Sequence, residues 1–177
     1  MRKPILLACT IIAAASLVGA VGAAPPNSGT LSVDRGKGVV TLDLRGNVLG
    51  RLANGTVRVT DQTPRDRFGE IVFGRDVTEE QLGPRTVLYR GQGLRFRMVG
   101  GGYRIVIRGS GIVLSVVGRG VVQLDGERKA DETTTGVYSF SVADCSVEPT
   151  LCTPLPDERE SFVLEPAVEG GDTRVRQ

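Results

Sequence analysis

Histidine and tryptophan are both absent from this chain of 177 residues, and aromatic residues make up only 5% of it. The lack of histidine excludes Ser-His-Asp and Cys-His nucleophile systems and histidine-ligated metal sites. Glycoside hydrolysis by a pair of carboxylates is not excluded by these absences, and the candidates are Asp43, Asp61, Asp66 and Glu70. Most of these acids fall in a polar loop, where solvated surface carboxylates are the usual outcome, and no tryptophan platform for a sugar is present.

Lysine is nearly as scarce, since only Lys37 and Lys129 follow the N-terminal segment. No Ser-x-x-Lys motif accompanies them, so a serine nucleophile with a lysine base has no support. The sequence around Lys37 is Gly-Lys-Gly, which lacks the spacing of a phosphate-binding P-loop. We therefore predict that the protein is not an enzyme and carries no cofactor and no catalytic or structural metal.

The N-terminus has the pattern of a secretory signal. Arg2 and Lys3 precede an apolar run over residues 4–18, and a series of small residues follows over 19–24. This order of charged, apolar and small segments predicts a signal peptide over residues 1–24. A retained anchor and a lipoprotein box ending at Cys9 are the alternatives, but the apolar run is shorter than the roughly 20 residues of a spanning helix. We expect a secreted or cell-envelope protein with no membrane span after signal removal.

The charge of the chain depends on that leader. Lysine and arginine total 22 against 20 aspartate and glutamate residues. Removal of Arg2 and Lys3 takes two cations and no acid, which leaves 20 of each sign. A neutral mature chain gives no support for bulk electrostatic attraction to nucleic acid or to an anionic membrane.

Only two of the three cysteines lie outside the leader. Cys145 and Cys152 stand in a proline-bearing segment with a short stretch of chain between them. An exported chain that keeps two nearby cysteines favours a disulfide, and two free thiols are the alternative. On the chain-entropy model, a loop of this size would stabilise the fold by roughly 2.5 kcal/mol.

The rest of the chain is expected to consist of three parts. We predict a flexible lead-in over residues 25–37, a single β-domain over 38–164 and a flexible tail over 165–177. One helix of about two turns is expected over residues 76–82, because Asp76 and Glu79 are spaced as in a capping box. Short strands are predicted near residues 39–45, 48–52, 56–60, 70–73, 86–90, 137–142 and 161–164.

Residues 94–126 give the clearest structural signal in the chain. Apolar residues recur at every second position and are interrupted by glycines: Leu94, Phe96, Met98, Tyr103, Ile105, Ile107, Ile112, Leu114, Val116, Val122 and Leu124. Alternation of period two predicts half-buried antiparallel strands. With loops at 100–101, 109–110 and 118–120, consecutive hairpins would set Met98 against Tyr103, Ile107 against Ile112, and Val116 against Val122.

An internal repeat is also predicted. Residues 40–47 align with 103–110, and residues 55–60 align with 120–125 after a shift of two residues. Both copies consist of a strand, an Arg-Gly pair, a second strand, a glycine and a third strand. Two such units would bury their apolar faces against each other. The expected fold class is all-β, an antiparallel meander packed as a sandwich or closed barrel.

The glycine-punctuated strands at 109–115 and 118–121, after a signal peptide, resemble a loose set of uncharacterised exported bacterial β-rich proteins. The resemblance covers roughly residues 38–142. It implies export and a β-fold, and it implies no activity.

The polar side of the predicted meander is rich in arginine. In the hairpin register, Arg97 would stand opposite Arg104, with Arg95 and Arg108 on the same face. Like charges directly opposite each other are unfavourable, so something must offset them. Solvent or acids from neighbouring strands, such as Glu70 or Asp125, would be sufficient. The alternative hypothesis is a site for an anionic group, such as the phosphate or carboxylate of an envelope polymer.

Two functions follow from these observations. The first is a non-enzymatic secreted or envelope-associated β-domain with a structural or surface-binding role. The alternative is a small β-barrel carrier that encloses an apolar ligand.

Overall fold

The computed structural model describes residues 29–64, 69–127, 135–141 and 144–165. Within these residues the chain is all-β and antiparallel, which confirms the predicted fold class. The strands are β1 (Thr30–Asp61), β2 (Ile71–Gly83), β3 (Thr86–Met98), β4 (Gly102–Gly126), β5 (Val137–Ser139), β6 (Thr153–Pro154) and β7 (Glu160–Leu164), with one 3₁₀ turn at Pro149–Leu151. No helix in this part of the chain is long and apolar enough to cross a membrane.

The long strand β1 bends back, and this bend folds the sheet into two layers. Ile107 of β4 pairs with both Val40 and Val57 of β1. In a straight strand those two valines would stand roughly 55 Å apart, so β1 has to turn between them. The strand pairs order the first layer as 160–164, 119–126, 38–45, 103–110, 54–61, 86–92 and 78–83. They order the second layer as 137–139, 30–33, 113–117, 47–52, 94–98 and 71–73.

The two layers share one apolar core. Every apolar residue of the predicted alternation between Leu94 and Leu124 is buried, and β1 supplies a matching set that includes Leu42 and Val48. Burial of a large side chain such as Phe96 contributes about 1.5–3 kcal/mol. The ladders that the described residues form do not close into a ring, because β2 and β7 each pair on one side only. The arrangement is therefore an open sheet folded over its core.

Glycines allow the backbones to approach closely at the bends. Gly55 and Gly109 face each other in the β1–β4 register, and their φ angles are 142° and 149°. A Cβ atom added to Gly109 would lie 2.0 Å from the carbonyl oxygen of Asn54. Any other residue would therefore meet both a backbone clash and a φ value that L-residues rarely adopt.

The same glycines support the predicted repeat. A Cβ on Gly46 would meet the Val117 oxygen at 2.2 Å, as one on Gly109 meets the Asn54 oxygen. Gly46 and Gly109 are 63 residues apart, and so are Asn54 and Val117. A separation of 63 residues is the offset of the first aligned segment. Gly55 against the Arg108 oxygen and Gly120 against the Asp43 oxygen are likewise related by 65 residues, at 2.1 and 2.3 Å. The two aligned segments thus occupy equivalent places in the fold.

The predicted hairpins of residues 94–126 are wrong. β4 runs unbroken from Gly102 to Gly126, so residues 109–110 and 118–120 form bends within one strand and not loops between strands. Met98 pairs with Val48, and Tyr103 pairs with Leu44 and Asp61, so β1 takes the place that the prediction gave to neighbouring hairpin strands. The apolar face is as predicted, because alternation fixes which side of a strand is buried but not its partner.

Two local predictions are also wrong. Residues 76–82, expected as a helix, belong to strand β2, where Thr78 pairs with Arg90 and Glu79 with Tyr89. Asp76 has a φ of 51°, which does not fit the extended backbone of an N-cap residue. The expected flexible lead-in ends earlier than predicted, because β1 already begins at Thr30 and buries Leu31. The predicted signal over residues 1–24 and residues 166–177 of the predicted tail lie outside the described residues.

The predicted disulfide is confirmed. Cys145 and Cys152 are bonded, with their Cα atoms 5.9 Å apart. The backbone N–H of Cys145 donates to the Ser32 hydroxyl at 3.1 Å, which attaches the disulfide loop to residues 30–33 of β1 in the second layer. Cys145 itself is fully buried.

Candidate functional site

The outward side of the second layer carries a group of arginines. Arg51 on β1 and Arg95 and Arg97 on β3 are exposed, and they alternate with the buried residues Leu52 and Phe96. Period-two alternation places all three guanidinium groups on the outer surface of the layer. We call this surface the arginine face.

Two of these arginines stand directly opposite each other. Arg51 pairs with Arg95 in the β1–β3 register, and the same row continues to Phe73 on β2 and Val113 on β4. The next row on this face contains Arg97 between Leu49 and Ile71. No ion pair joins these three guanidinium groups to any residue in the described part of the chain.

The acids that were expected to offset the arginines are engaged elsewhere. Asp125 accepts a hydrogen bond from Arg159 at 3.2 Å. Glu70 accepts one from the Tyr89 hydroxyl. Burial of Tyr89, together with the charges of Glu70 and Glu79, raises the pKa of its hydroxyl to about 12. Asp125 and Glu70 therefore bind residues of the first layer or of its flanking segment, and neither forms an ion pair with Arg51, Arg95 or Arg97 in the described part of the chain.

One carboxylate does lie at the edge of the arginine face. Asp144 lines a depression together with Arg97, but its Oδ1 accepts bonds from the Ser146 backbone at 2.9 Å and the Ser146 hydroxyl at 2.7 Å. These hydrogen bonds lower the pKa of Asp144 below its usual value. Asp144 is thus held as an anion by its own turn, and it contacts none of the three arginines closely enough to form an ion pair.

Two open depressions meet at the Arg51–Arg95 pair. One has a volume of about 620 Å³ and extends to Arg35 and Arg75, and the other, of about 550 Å³, extends to Arg97. Arg51, Arg95, Phe73 and Val113 line both of them. Arg35 is the exception among these cations, because its Nε donates to Asp34 at 2.9 Å. The surface can therefore present several guanidinium forks to one extended anion.

The predicted single row of arginines does not exist. Arg97 and Arg104 were expected to face each other, but Arg104 pairs with Asp43 and Thr60 in the first layer, and Arg108 pairs there with Val39 and Thr56. The structure brings Arg95 and Arg97 together and separates them from Arg104 and Arg108. The reason is the register change described above, in which β1 stands between β3 and β4.

Sequence reasoning missed Arg51. It lies in a correctly predicted strand segment, 48–52, and its alternation with Val48 and Leu52 marks it as outward-facing. The missing information was that this segment pairs with β3. That pairing joins residues more than 40 positions apart, for which the sequence has no local turn signal.

Two of the carboxylate candidates accept hydrogen bonds from residues that follow the end of β1. Asp43 accepts a hydrogen bond from the Gln62 amide at 3.1 Å, and Asp61 accepts one from the Thr63 backbone at 2.7 Å. Asp66 lies outside the described residues. Among the residues that are described, no group of three or more potential metal ligands is present.

Comparisons of this chain with protein-family models, with curated proteins and with solved structures give no match.

Proposed function

We propose that the protein is a non-enzymatic binding domain of the secreted or cell-envelope compartment, and that its arginine face recognises anionic groups. The observation that carries the proposal is the cross-strand pair Arg51–Arg95, with which no acid of the described chain forms an ion pair. Arg97 stands in the adjacent row and adds a third guanidinium to the same surface.

The arrangement of Arg51 opposite Arg95 costs stability in the isolated protein. Like charges opposite each other across two strands destabilise the pair by a few tenths of a kcal/mol or more. A phosphate or carboxylate bound between Arg51 and Arg95 would convert that repulsion into two charge-assisted interactions. A multivalent anion, such as an envelope polymer, could occupy both depressions at once.

Two further observations support the compartment. The Cys145–Cys152 disulfide is a bond that persists in oxidising surroundings. The charged, apolar and small-residue order of residues 1–24 is the order of a secretory leader. The alternative function, a carrier of an apolar ligand, remains a prediction that no specific observation favours, since the buried side chains of both layers belong to one cluster.

The test compares charge reversals on the two layers. We expect the Arg51→Glu, Arg95→Glu double variant to bind purified envelope fractions at least about tenfold more weakly at low salt, since each charge-assisted hydrogen bond contributes about 1.5–3 kcal/mol. Binding by the parent chain should fall at high salt. Binding would be measured by co-sedimentation of the full chain with the fractions.

The matched control is the double variant Arg104→Glu, Arg108→Glu, which makes the same change of charge on the first layer. It should bind as the parent does. Equal binding by the parent and the Arg51, Arg95 variant at low salt would refute the proposed function.

A further inference from the structure

Large apolar side chains interrupt the arginine face. Leu49, Ile71 and Phe73 have exposed fractions of 52%, 56% and 54%. Each stands beside an arginine in the register, because Arg97 lies between Leu49 and Ile71, and Arg95 pairs with Phe73. Single exposed apolar residues are common on protein surfaces, but three that alternate with uncompensated cations on one sheet face form a combined pattern.

A soluble polyanion would account for the arginines and not for these side chains. Leu49, Ile71 and Phe73 gain nothing from a hydrated phosphate or carboxylate polymer. An anionic bilayer offers both partners at once, because lipid phosphates lie just above the boundary of the acyl region. Interfacial binding combines buried apolar area with attraction of basic residues to anionic lipids.

We propose, on the basis of the anion-binding function above, that the arginine face docks on the surface of an anionic lipid bilayer. Arg51, Arg95 and Arg97 contact lipid phosphates, and Ile71 and Phe73 enter the boundary of the acyl region. The position of β2 suits this role, since it forms the edge of the folded sheet and pairs with β3 alone in the described structure. The depressions around Arg51 and Arg95 have room for a headgroup.

The first layer provides an internal contrast. Its outer surface also combines arginines with apolar residues, namely Arg45 and Arg119 with Val121 and Val163, around a depression of about 790 Å³. Two carboxylates, those of Asp43 and Glu165, line the same depression. These two acids balance the two arginines of the depression, whereas Asp144 is the one acid that lines the two depressions of the arginine face, against five arginines. The first-layer surface therefore has no local excess of positive charge and should not dock on an anionic bilayer.

The experiment places an environment-sensitive fluorophore on each surface of the full chain. Cys9 is replaced by alanine, and the dye is attached to Ile71→Cys or, as the matched control, to Val163→Cys, whose native side chain is 54% exposed. Each labelled protein is titrated with vesicles of phosphatidylglycerol and phosphatidylcholine, and with vesicles of phosphatidylcholine alone. Residues 1–28, including Cys9→Ala, are the same in both labelled proteins, so a response that depends on the dye position reports on the two surfaces.

We expect the dye at position 71 to shift to shorter wavelength on phosphatidylglycerol vesicles and to respond weakly to phosphatidylcholine. The dye at position 163 should not shift on either vesicle. In an Arg51→Ala, Arg95→Ala background, the lipid concentration for half-saturation should rise about 30-fold, since each arginine near an anionic surface contributes about 1 kcal/mol. If Ile71→Cys fails to fold, as judged by circular dichroism, Leu49→Cys on the same face replaces it.

Equal responses at the two dye positions, equal responses to the two kinds of vesicle, or no response at position 71 would each overturn the bilayer proposal. Titration with soluble inorganic polyphosphate separates this failure from that of the proposed function. If polyphosphate binds in a manner that depends on Arg51 and Arg95 while vesicles give no response, the anion-binding function holds and the bilayer is not its target. If neither binds, both proposals fail.

Discussion

The two layers of the fold each contain a pair of arginines directly opposite each other, and they treat that pair differently. In the first layer, Arg45 pairs with Arg119, and the carboxylates of Asp43 and Glu165 line the same depression. In the second layer, Arg51 pairs with Arg95, and the surrounding row consists of Phe73 and Val113. Two acids thus accompany two arginines in the first-layer depression, whereas Asp144 is the one acid among the residues that line the two depressions of the arginine face, against five arginines. The difference is one of local charge balance, because none of Arg45, Arg119, Arg51 and Arg95 forms an ion pair in the described part of the chain.

This difference shows that the effect of a like-charged pair on stability depends on the residues that surround it in the fold. A like-charged pair with carboxylates beside it has little net effect on stability, as is usual for solvated surface charges. An uncompensated pair flanked by exposed apolar side chains costs stability in the isolated protein, and an external anion can recover that cost. The net charge of +2 over the full sequence does not reveal this local contrast.

The largest expected effect tests the bend that creates the two layers. We expect Gly109→Val to prevent folding or to destabilise the protein by more than about 3 kcal/mol, because its Cβ would meet the Asn54 oxygen and its φ of 149° is unsuitable for valine. Urea unfolding followed by circular dichroism measures the change. Gly83→Val is the matched control, since a Cβ there meets nothing within 4 Å. Similar losses in the two variants would show that the bend does not depend on close approach at Gly109.

The burial pattern was predictable because it is a local property of the sequence. Alternation from Leu94 to Leu124 marks the inward side of β3 and β4 wherever their partners lie, and two nearby cysteines in a chain that is predicted to be exported indicate a disulfide. Strand pairing is not local in this way. A glycine such as Gly109 is compatible with a hairpin turn and with a close crossing of two strands, and only the distant partner Asn54 decides between them.

The candidate site could be predicted only in part for the same reason. Arg95 and Arg97 belong to one strand, so their shared face follows from alternation. The position of Arg95 opposite Arg51 depends on a pairing between distant segments, in place of which the local pattern predicted a nearer hairpin. The helix of about two turns predicted from the capping pattern at residues 76–82 is wrong for the same reason. Pairing of this segment with β3 outweighed its local preference for a helix.

A smaller effect concerns the ionisation of Tyr89 in the first layer. Burial and the charges of Glu70 and Glu79 raise the pKa of Tyr89 to about 12, against 10 in the unfolded chain. The folded state then holds its proton longer than the unfolded state, so stability is unaffected below pH 10 and falls as the pH rises from 10 toward 12. With screening by solvent around the two glutamates, we expect a loss of about 1–2 kcal/mol.

Urea unfolding of the parent and of Tyr89→Phe at pH values on either side of 10 measures this loss. The phenylalanine variant should show a flatter dependence on pH in that range. Tyr138→Phe is the matched comparison, because it removes a second tyrosine at a different place in the sheet. The pKa of Tyr138 is also raised, by burial and by the charge of Glu160. A parent-like slope in Tyr89→Phe would mean that the acids near Tyr89 do not control its ionisation.

The smallest effect addresses the two arginine pairs themselves. Arg51→Glu should stabilise the isolated protein by roughly 0.5–1 kcal/mol, because it converts the like-charged pair with Arg95 into an opposite-charged one. Arg45→Glu should give no gain, since it adds a third carboxylate to the depression that already contains Asp43 and Glu165. The midpoints of urea unfolding at low and high salt measure both changes, and the gain in Arg51→Glu should disappear at high salt because exposed charges are screened. Equal shifts in the two variants would mean that the layers do not differ in charge compensation, whereas a gain confined to Arg51→Glu, with weaker binding of anions, would show that the second layer gives up stability to keep its binding surface.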